Sequence, residues 1–323
     1  MNTPLASRLS PHTQGRKALV VGLGDTGAAT VRWLVAHEAE VRATDTRADP
    51  PHAQRLREAF PEVPLSLGGF SPADFDWADL IVVSPGIALA TPEVAAAVAA
   101  GKDVIGDVEL FARTIRSTHA KVIAITGSNG KSTVTALAGH LCAAYGLDAV
   151  VAGNIGLPVL EALEAREVQG KHPDVWVLEL SSFQLETTFS LEADAATVLN
   201  ISEDHMDRYT GLDDYAAAKA RIFGVESDHT RAKASSIQIL NRDDARVMDM
   251  ARAGHTQWQF GLGEWQQSAG EFGFTTRKER LWLAEGEEAL LPVDKLPIAG
   301  LHNAANALAA LALCRTIFFR SEE

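Results

Sequence analysis

The stretch ITGSNGKSTVTAL, Ile125 to Leu137, decides how this chain is read. A β-rich run, KVIAITG, leads into it from Lys121, and a helical pattern leaves it from about Lys131. Gly127 and Gly130 let backbone N–H groups turn inward around phosphate oxygens, and the positive end of the following helix favours an anion there. From this position the Lys131 ammonium reaches β- and γ-phosphates, and the hydroxyl of Ser132 or of Thr133 is placed to ligate Mg2+. The spacing departs from the usual phosphate-loop pattern GxxxxGK[ST], whose first glycine would fall at Ile125. The bland alternative is a glycine turn with a surface lysine. Strand, glycine pair, Lys-Ser-Thr and helix in direct succession weigh against it.

Working outward, short β-rich runs alternate with helical stretches. KALVVGLG from Lys17, a helix from Gly27 to His37, EVRATDT, ADLIVVSPG from Ala78 to Gly86 and an alanine-rich helix after Thr91 describe one βαβ unit. Such alternation predicts an α/β fold, a Rossmann-like parallel sheet with helices on both faces. GDVELFARTIRSTHA, rich in charge and threonine, precedes the strand at Lys121 and marks a domain boundary. Residues 1–15 read as a loose, disordered tail, 16–115 as the first domain and 116–313 as the central one. The second unit repeats the logic with DAVVAGN, DVWVLELSS, AATVLNIS, a helix from Asp213 to Phe223, SSIQILN and a last helix near His302. TQWQFG, EFGFTT and RLWLAE suggest a small antiparallel sheet between Gln257 and Pro297.

The composition narrows the partners. A formal net charge of −13 over 323 residues argues against a general nucleic-acid or anionic-membrane binder. The two cysteines, Cys142 and Cys314, lie in alanine-rich stretches and read as buried thiols of a reducing cytosol. The N-terminus lacks the apolar core of a signal peptide, and the apolar segments after Leu80 and after His302 are broken by proline or charge, so a cytoplasmic protein without a membrane span is expected.

Two further motifs carry chemistry. GLGDTG, with Gly22, Gly24 and Gly27, joins the first strand to the first helix, and Asp45 ends the next strand. Alone, this fits a dinucleotide fingerprint with Asp45 on a ribose hydroxyl, so an NAD-dependent dehydrogenase is a rival, as is a plain helix-packing turn. Glu179 closes DVWVLEL, and Asp204 and His205 follow AATVLNIS. Strand C-termini of a parallel sheet share one crevice, which places Glu179 and His205 on the side of the phosphate loop. Lys219, in DDYAAAKARIF, reads by itself as a solvated helix lysine.

Taken in order, TGSNGKST, ELSSFQLE (Glu179 to Glu186), NISEDHMDRY (Asn200 to Tyr209), YAAAKARIF and GLHNAANALAA (Gly300 to Ala310) resemble the Mur ligases over Lys17 to Leu313. SFQLE, GLGDTG, DTR (Asp45 to Arg47) and SPGI (Ser84 to Ile87) resemble the branch that adds D-glutamate. The resemblance implies ATP and Mg2+ as cofactors, UDP-N-acetylmuramoyl-L-alanine and D-glutamate as substrates, an acyl phosphate intermediate and a monomer. It implies that Gly127, Ser128, Asn129, Gly130, Lys131, Ser132 and Thr133 hold the triphosphate while Asn303 and Asn306 hold the adenine side. Ser132, Glu179, His205 and Lys219 (as a carbamate) would serve metal ions, and Lys131, Glu179, His205 and Lys219 the catalysis. The UDP substrate would meet Gly24, Asp25, Thr26, Gly27, Asp45, Thr46, Arg47, Ser84, Gly86, Asn154 and His205.

The resemblance further implies a third Rossmann-like domain after the asparagine helix. RTIFFRSEE reads as neither its linker nor a domain, so residues 314–323 are expected to be an atypical truncated end and the ligase weak or inactive. Another Mur ligase, a folylpolyglutamate synthase and a binding-only nucleotide fragment stay as alternatives.

Overall fold

The apolar runs ALVV, LIVV, VIAIT and VWVLE become buried strands in the computed structural model, which describes residues 12–225 and 236–318. The chain divides into two units. The first contains β1 (Lys17–Val21), α1 (Asp25–Ala36), β2 (Glu40–Asp45), α2 (Ala53–Ala59), β3 (Leu65–Leu67), α3 (Pro72–Trp77), β4 (Leu80–Val83), α4 (Pro92–Ala99), β5 (Asp103–Ile105) and α5 (Asp107–Ile115). Its five strands lie in the order β3-β2-β1-β4-β5, paired in parallel. β1 and β4 are buried on both faces, as their uninterrupted apolar text requires.

The second unit begins with β6 (Lys121–Thr126), α6 (Lys131–Ala144) and β7 (Ala149–Gly153). The chain then returns to the first unit for α7 (Val159–Gln169), since residues Gly156–His172 and Phe183–Leu191 group with it. β8 (Val175–Glu179), α8 (Ser182–Glu186), β9 (Ala195–Val198), α9 (Leu212–Ala220), β10 (Ile237–Asn241), α10 (Ala245–Met248), β11 (Thr256–Phe260), β12 (Glu271–Arg277), β13 (Arg280–Glu285), β14 (Glu288–Pro292) and α11 (Leu301–Phe318) follow. The larger sheet runs β14-β13-β12-β11-β10-β9-β6-β8-β7. α11 lays Ala304, Ala307, Leu308 and Leu313 into the same core as Val134, Ala138 and Cys142 of α6, the alanines letting the two helices approach closely.

Several expectations change. TQWQF is a parallel strand, not an antiparallel one: the short helix α10 crosses over from β10 and delivers β11 parallel to it, and β12 pairs β11 in parallel as well. Among the described residues only β12-β13-β14 is antiparallel. The polar–apolar alternation of β11 reflects its exposed face rather than its direction. The charged stretch before Lys121 is a helix, α5, because Val108, Leu110, Phe111, Ala112 and Ile115 fall on buried positions at helical spacing. Residues 12–15 form a turn in which Thr13 is buried and the Gly15 N–H donates to the Glu38 carbonyl (2.9 Å), so order begins before the expected tail ends. Residues 314–318 continue α11 with Cys314 and Ile317 buried. The remainder of the expected tail and end, 1–11 and 319–323, lies outside the described residues. Among those described, no helix is long and apolar enough to cross a membrane.

Candidate nucleotide and metal site

Three neighbouring parallel strands set the site in the second unit. β6 lies between β8 and β9, with Ile125 opposite Glu179 and Thr126 opposite Val198. Their C-terminal ends therefore release the loop 127–130, the Glu179 side chain and the loop from Asn200 along one edge of the sheet.

The loop 127–130 is tied in place by polar contacts. The Ser128 N–H donates to the Asn200 carbonyl (3.0 Å), the Asn129 N–H donates to Asn200 Oδ1 (2.8 Å), and Asn200 Nδ2 donates back to the Asn129 carbonyl (3.0 Å). The Ser128 hydroxyl accepts from the Ser202 N–H (2.9 Å) and lies 3.3 Å from the buried Tyr215 hydroxyl. Lys131 Nζ donates to the carbonyls of Gly127 (2.9 Å) and Ser128 (3.0 Å), which holds the ammonium within the turn. Gly130 caps α6 with φ of +85°, a conformation that glycine adopts without strain. A Cβ there would also come within 2.6 Å of Asn306 Oδ1. Asn306 thus lies against the loop, with its Nδ2 3.4 Å from Asn303 Oδ1, and Asn303 Nδ2 donates to the Ala299 carbonyl (2.7 Å). Ser132 is exposed and Thr133 half-buried on the first turn of α6.

Glu179 and Lys219 are the buried ionisable groups of this edge. Glu179 is 1% exposed; its Oε1 accepts from Asn154 Nδ2 (2.7 Å), while Oε2 is buried with no hydrogen-bond partner. A carboxylate oxygen in that state suits a cation, which would offset the cost of desolvating it. Lys219 is 2% exposed, donates to Thr126 Oγ1 (3.2 Å) and lies 4.7 Å from the centre of the Tyr215 ring. Burial, then repulsion from Lys131, pulls its pKa down to about 7 against the opposing attraction of Asp204 and Glu179. An amine that is partly neutral near pH 7 is nucleophilic, and it can capture CO2 as a carbamate with release of a proton. Among the described residues, no group of three or more His, Cys, Asp and Glu side chains is gathered for a metal ion. The buried Glu179 oxygen without a partner is nonetheless a donor that fits Mg2+. His205 is exposed in left-handed backbone (φ 55°), with Asp204 Oδ2 3.6 Å from its Nε2.

In the first unit, Gly24 caps α1 and Asp25, Thr26 and Gly27 form its first turn, whose N–H groups have no partner within the helix. Gly27 has no room for a side chain: a Cβ would collide with the Gly22 carbonyl, which also accepts from the Ser84 hydroxyl (2.8 Å). Asp25 is exposed and pairs with His52 Nε2 at 2.7 Å, so its charge is not left alone at the helix end. Asp45 is 2% exposed and accepts four hydrogen bonds: from the Leu23 N–H (2.7 Å), the Arg47 N–H (2.8 Å), Arg47 Nε (2.9 Å) and Arg47 Nη2 (2.7 Å). The Arg47 guanidinium, outweighing burial, holds its pKa down at about 2. Thr46 and Gly86 are exposed.

Asn200, Ser202, Tyr215, Thr126 and Asp204 were not expected as contributors to the phosphate loop or to Lys219. Asn200 opens NISEDHMDRY, which carried the resemblance but no contact to the phosphate loop, since a hydrogen bond across the sheet leaves no local pattern.

The phosphate-loop strand and helix, with a carboxylate and a lysine at the adjoining edge, mark the class of α/β nucleotide-dependent proteins. Residues 125–314 match the Mur ligase middle domain, and residues 16–106 match the Mur ligase MurD-like N-terminal domain; the chain belongs to the Mur ligase family. Among curated relatives it is similar to the UDP-N-acetylmuramoylalanine--D-glutamate ligase of Chromobacterium violaceum, 53% identical over 94% of this chain and 64% of the relative. The ligase of the same description from Methylobacillus flagellatus is 54% identical over 94% of this chain and 63% of its own length. The chain thus spans a little under two thirds of the curated relatives it matches. Solved structures share the fold. A UDP-N-acetylmuramate:L-alanyl-gamma-D-glutamyl-meso-diaminopimelate ligase from Neisseria meningitides matches with a TM-score of 0.61 at 18% identity, over 94% of both chains. A murein peptide ligase from Psychrobacter arcticus matches with a TM-score of 0.55 at 16% identity, over 94% of this chain and 65% of that one.

Proposed function

We propose that the chain carries the nucleotide and metal machinery of an ATP-dependent ligase that joins D-glutamate to UDP-N-acetylmuramoyl-L-alanine in peptidoglycan precursor synthesis. The observation that carries this reading is the edge where Lys131, the unpartnered Glu179 oxygen and the depressed Lys219 amine surround one phosphate-loop helix N-terminus. The reaction sets a substrate carboxylate against a triphosphate, and the like charges must be offset before phosphoryl transfer. Lys131 and the N–H groups of residues 127–133 would orient the β- and γ-phosphates. Bound Mg2+ would neutralise the developing charge. Glu179, steadied by Asn154, would hold it with Ser132, and Lys219 as a carbamate and His205 would serve the second ion. The acyl phosphate formed would be attacked by the D-glutamate amine, and phosphate would leave from the tetrahedral adduct. Asn306 and Asn303 would face the adenine.

For the first unit we assign the UDP end of the substrate to the turn Gly24–Gly27, Asp45–Arg47, Ser84 and Gly86. With both oxygens already accepting two bonds each, Asp45 would serve this site by holding Leu23 and Arg47 in place, and the ribose contact that the dinucleotide fingerprint would give it is taken up.

Calorimetric titration of MgATP into the protein and into Lys131→Ala tests the reading. We expect a single site in the parent and no measurable heat in the variant, whose circular dichroism stays unchanged. Equal affinity in both proteins would remove Lys131 from the site and the ligase assignment with it.

A further inference from the structure

Away from the phosphate loop, two nucleophilic side chains face each other and have no part in the function proposed above. Cys142 lies eleven residues beyond Lys131 on α6, and Cys314 lies eleven residues beyond Asn303 on α11. The two helices run side by side in the same direction. Near their start Asn306 lies against Gly130; further along, the sulfurs of Cys142 and Cys314 are 3.8 Å apart; at the far end the rings of Tyr145 and Phe318 stack at 4.0 Å. Both thiols are buried, and Cys314 Sγ is also 3.5 Å from the Ala138 carbonyl. At ~1.5 Å of rise per residue the thiols sit ~16 Å, three turns, from the site.

A disulfide requires sulfurs about 2 Å apart. Closing the observed gap takes about 1 Å from each sulfur. The hydrogen bond between the two holds the Cys142 thiol below its ordinary value, while the same partner and burial push Cys314 well up. Either thiolate can open the exchange, the other sulfur lying 3.8 Å away to close it.

We propose that Cys142 and Cys314 form a modification site, a reversible disulfide that fastens α6 to α11 when the protein meets an oxidising low-molecular-weight disulfide. In the first step one thiolate of the pair attacks one sulfur of the small disulfide, breaking its S–S bond and releasing one small thiol. In the second, the other cysteine loses its proton and attacks the sulfur of the first, expelling the other small thiol. The two protein thiols give up two electrons and two protons, and the small disulfide is reduced to two thiols. Burial makes the first step wait for a transient opening of the helix pair, and the neighbouring thiol then makes the second step fast. The bond joins residues 172 positions apart, so it strongly restricts the unfolded chain, and its distance from the loop leaves the phosphate cradle untouched.

The test incubates the whole chain with oxidised glutathione a few degrees below its melting point and follows intact mass and Tm. The expected result is the loss of two hydrogen atoms with no retained glutathione, a peptide pair joined at Cys142 and Cys314, and a Tm raised by about 5 °C or more that dithiothreitol reverses. Cys314→Ala should show no such rise; Cys142→Ala provides the same control from the other helix. A stable glutathione adduct on the parent protein, an unchanged mass after prolonged incubation, or a bond that leaves Tm unmoved would each overturn the proposal.

Discussion

Glu179 is the residue whose two oxygens are treated most differently. One is held by Asn154, and the other is buried without a partner. Removing the charge while keeping the shape should therefore spare the fold and strike only the cation. Glu179→Gln is expected to bind ATP without Mg2+ as the parent does, but to lose the gain that Mg2+ gives the parent, by tenfold or more. Paired calorimetric titrations with and without Mg2+ check this; an unaltered Mg2+ dependence would place the ion elsewhere. The sequence made Glu179 and Lys131 legible because strand ends and glycine turns are local signals. Lys219 was not legible by itself. Helical spacing puts Tyr215 four residues before Lys219, but nothing in YAAAKARIF announces that the lysine is buried, since that burial is imposed by β6 and its neighbours. Asp45 was legible as a strand-end carboxylate, but its work of holding Leu23 and Arg47 was not.

Among elements, α7 shows most clearly what a linear reading leaves out. VLEALEAREVQ has an ordinary helical pattern, yet only contacts distant in sequence reveal that it packs on α1. Trp33 Nε1 donates to Glu167 (3.2 Å), the Trp33 and His37 rings stack at 3.8 Å, and His37 Nε2 pairs with Glu167 at 3.3 Å. Burial works against charging His37, but Glu167, the Trp33 carbonyl and Glu164 together outweigh it and raise the pKa. A folded-state pKa above the unfolded value means that this stabilisation is complete below about pH 6.5 and fades as pH rises through the raised value. Tm measured against pH should fall across that window in the parent and stay flatter in Glu167→Gln; parallel curves would show that the pair is not ionised. A second clasp, Glu109 of α5, is 1% exposed and accepts from Arg113 Nε (2.8 Å), the N–H groups of Phe189 and Ser190 (2.7 Å each) and the Ser190 hydroxyl (2.8 Å). Glu109→Ala strips four donors of their acceptor and should cost about 3 kcal/mol or more in urea unfolding. A loss below about 1 kcal/mol would mean that water replaces the carboxylate.

At the scale of the molecule, the strand–helix alternation was sufficient to read an α/β chain with a parallel sheet at the heart of each unit, but not that β12-β13-β14 extend the second sheet rather than form a small one of their own. The composition of the two units was beyond it, since the first recruits Gly156–His172 and Phe183–Leu191 from between second-unit strands. This has an observable signature. In native-state hydrogen exchange under mild denaturant, amides of residues 159–169 should open together with β1, β2 and β4, while those of β7 and β8 on either side follow the second unit. Exchange of α7 in step with β7 and β8 would contradict the division.

The same recruitment sets a timetable for synthesis. Domains that occupy one uninterrupted stretch of chain complete themselves in order as they leave the ribosome. Here a nascent chain that has emerged as far as Thr118 still lacks α7 and the residues that Glu109 grips, so Trp33, His37 and Glu109 have no partners yet. The first unit can close only once Leu191 is out, and by then β6, β7 and β8 of the second have already been made. Synthesis of the two units is therefore interleaved: the first can close while the second still lacks β9 to β14 and α11, and neither can be cut out as a continuous cassette.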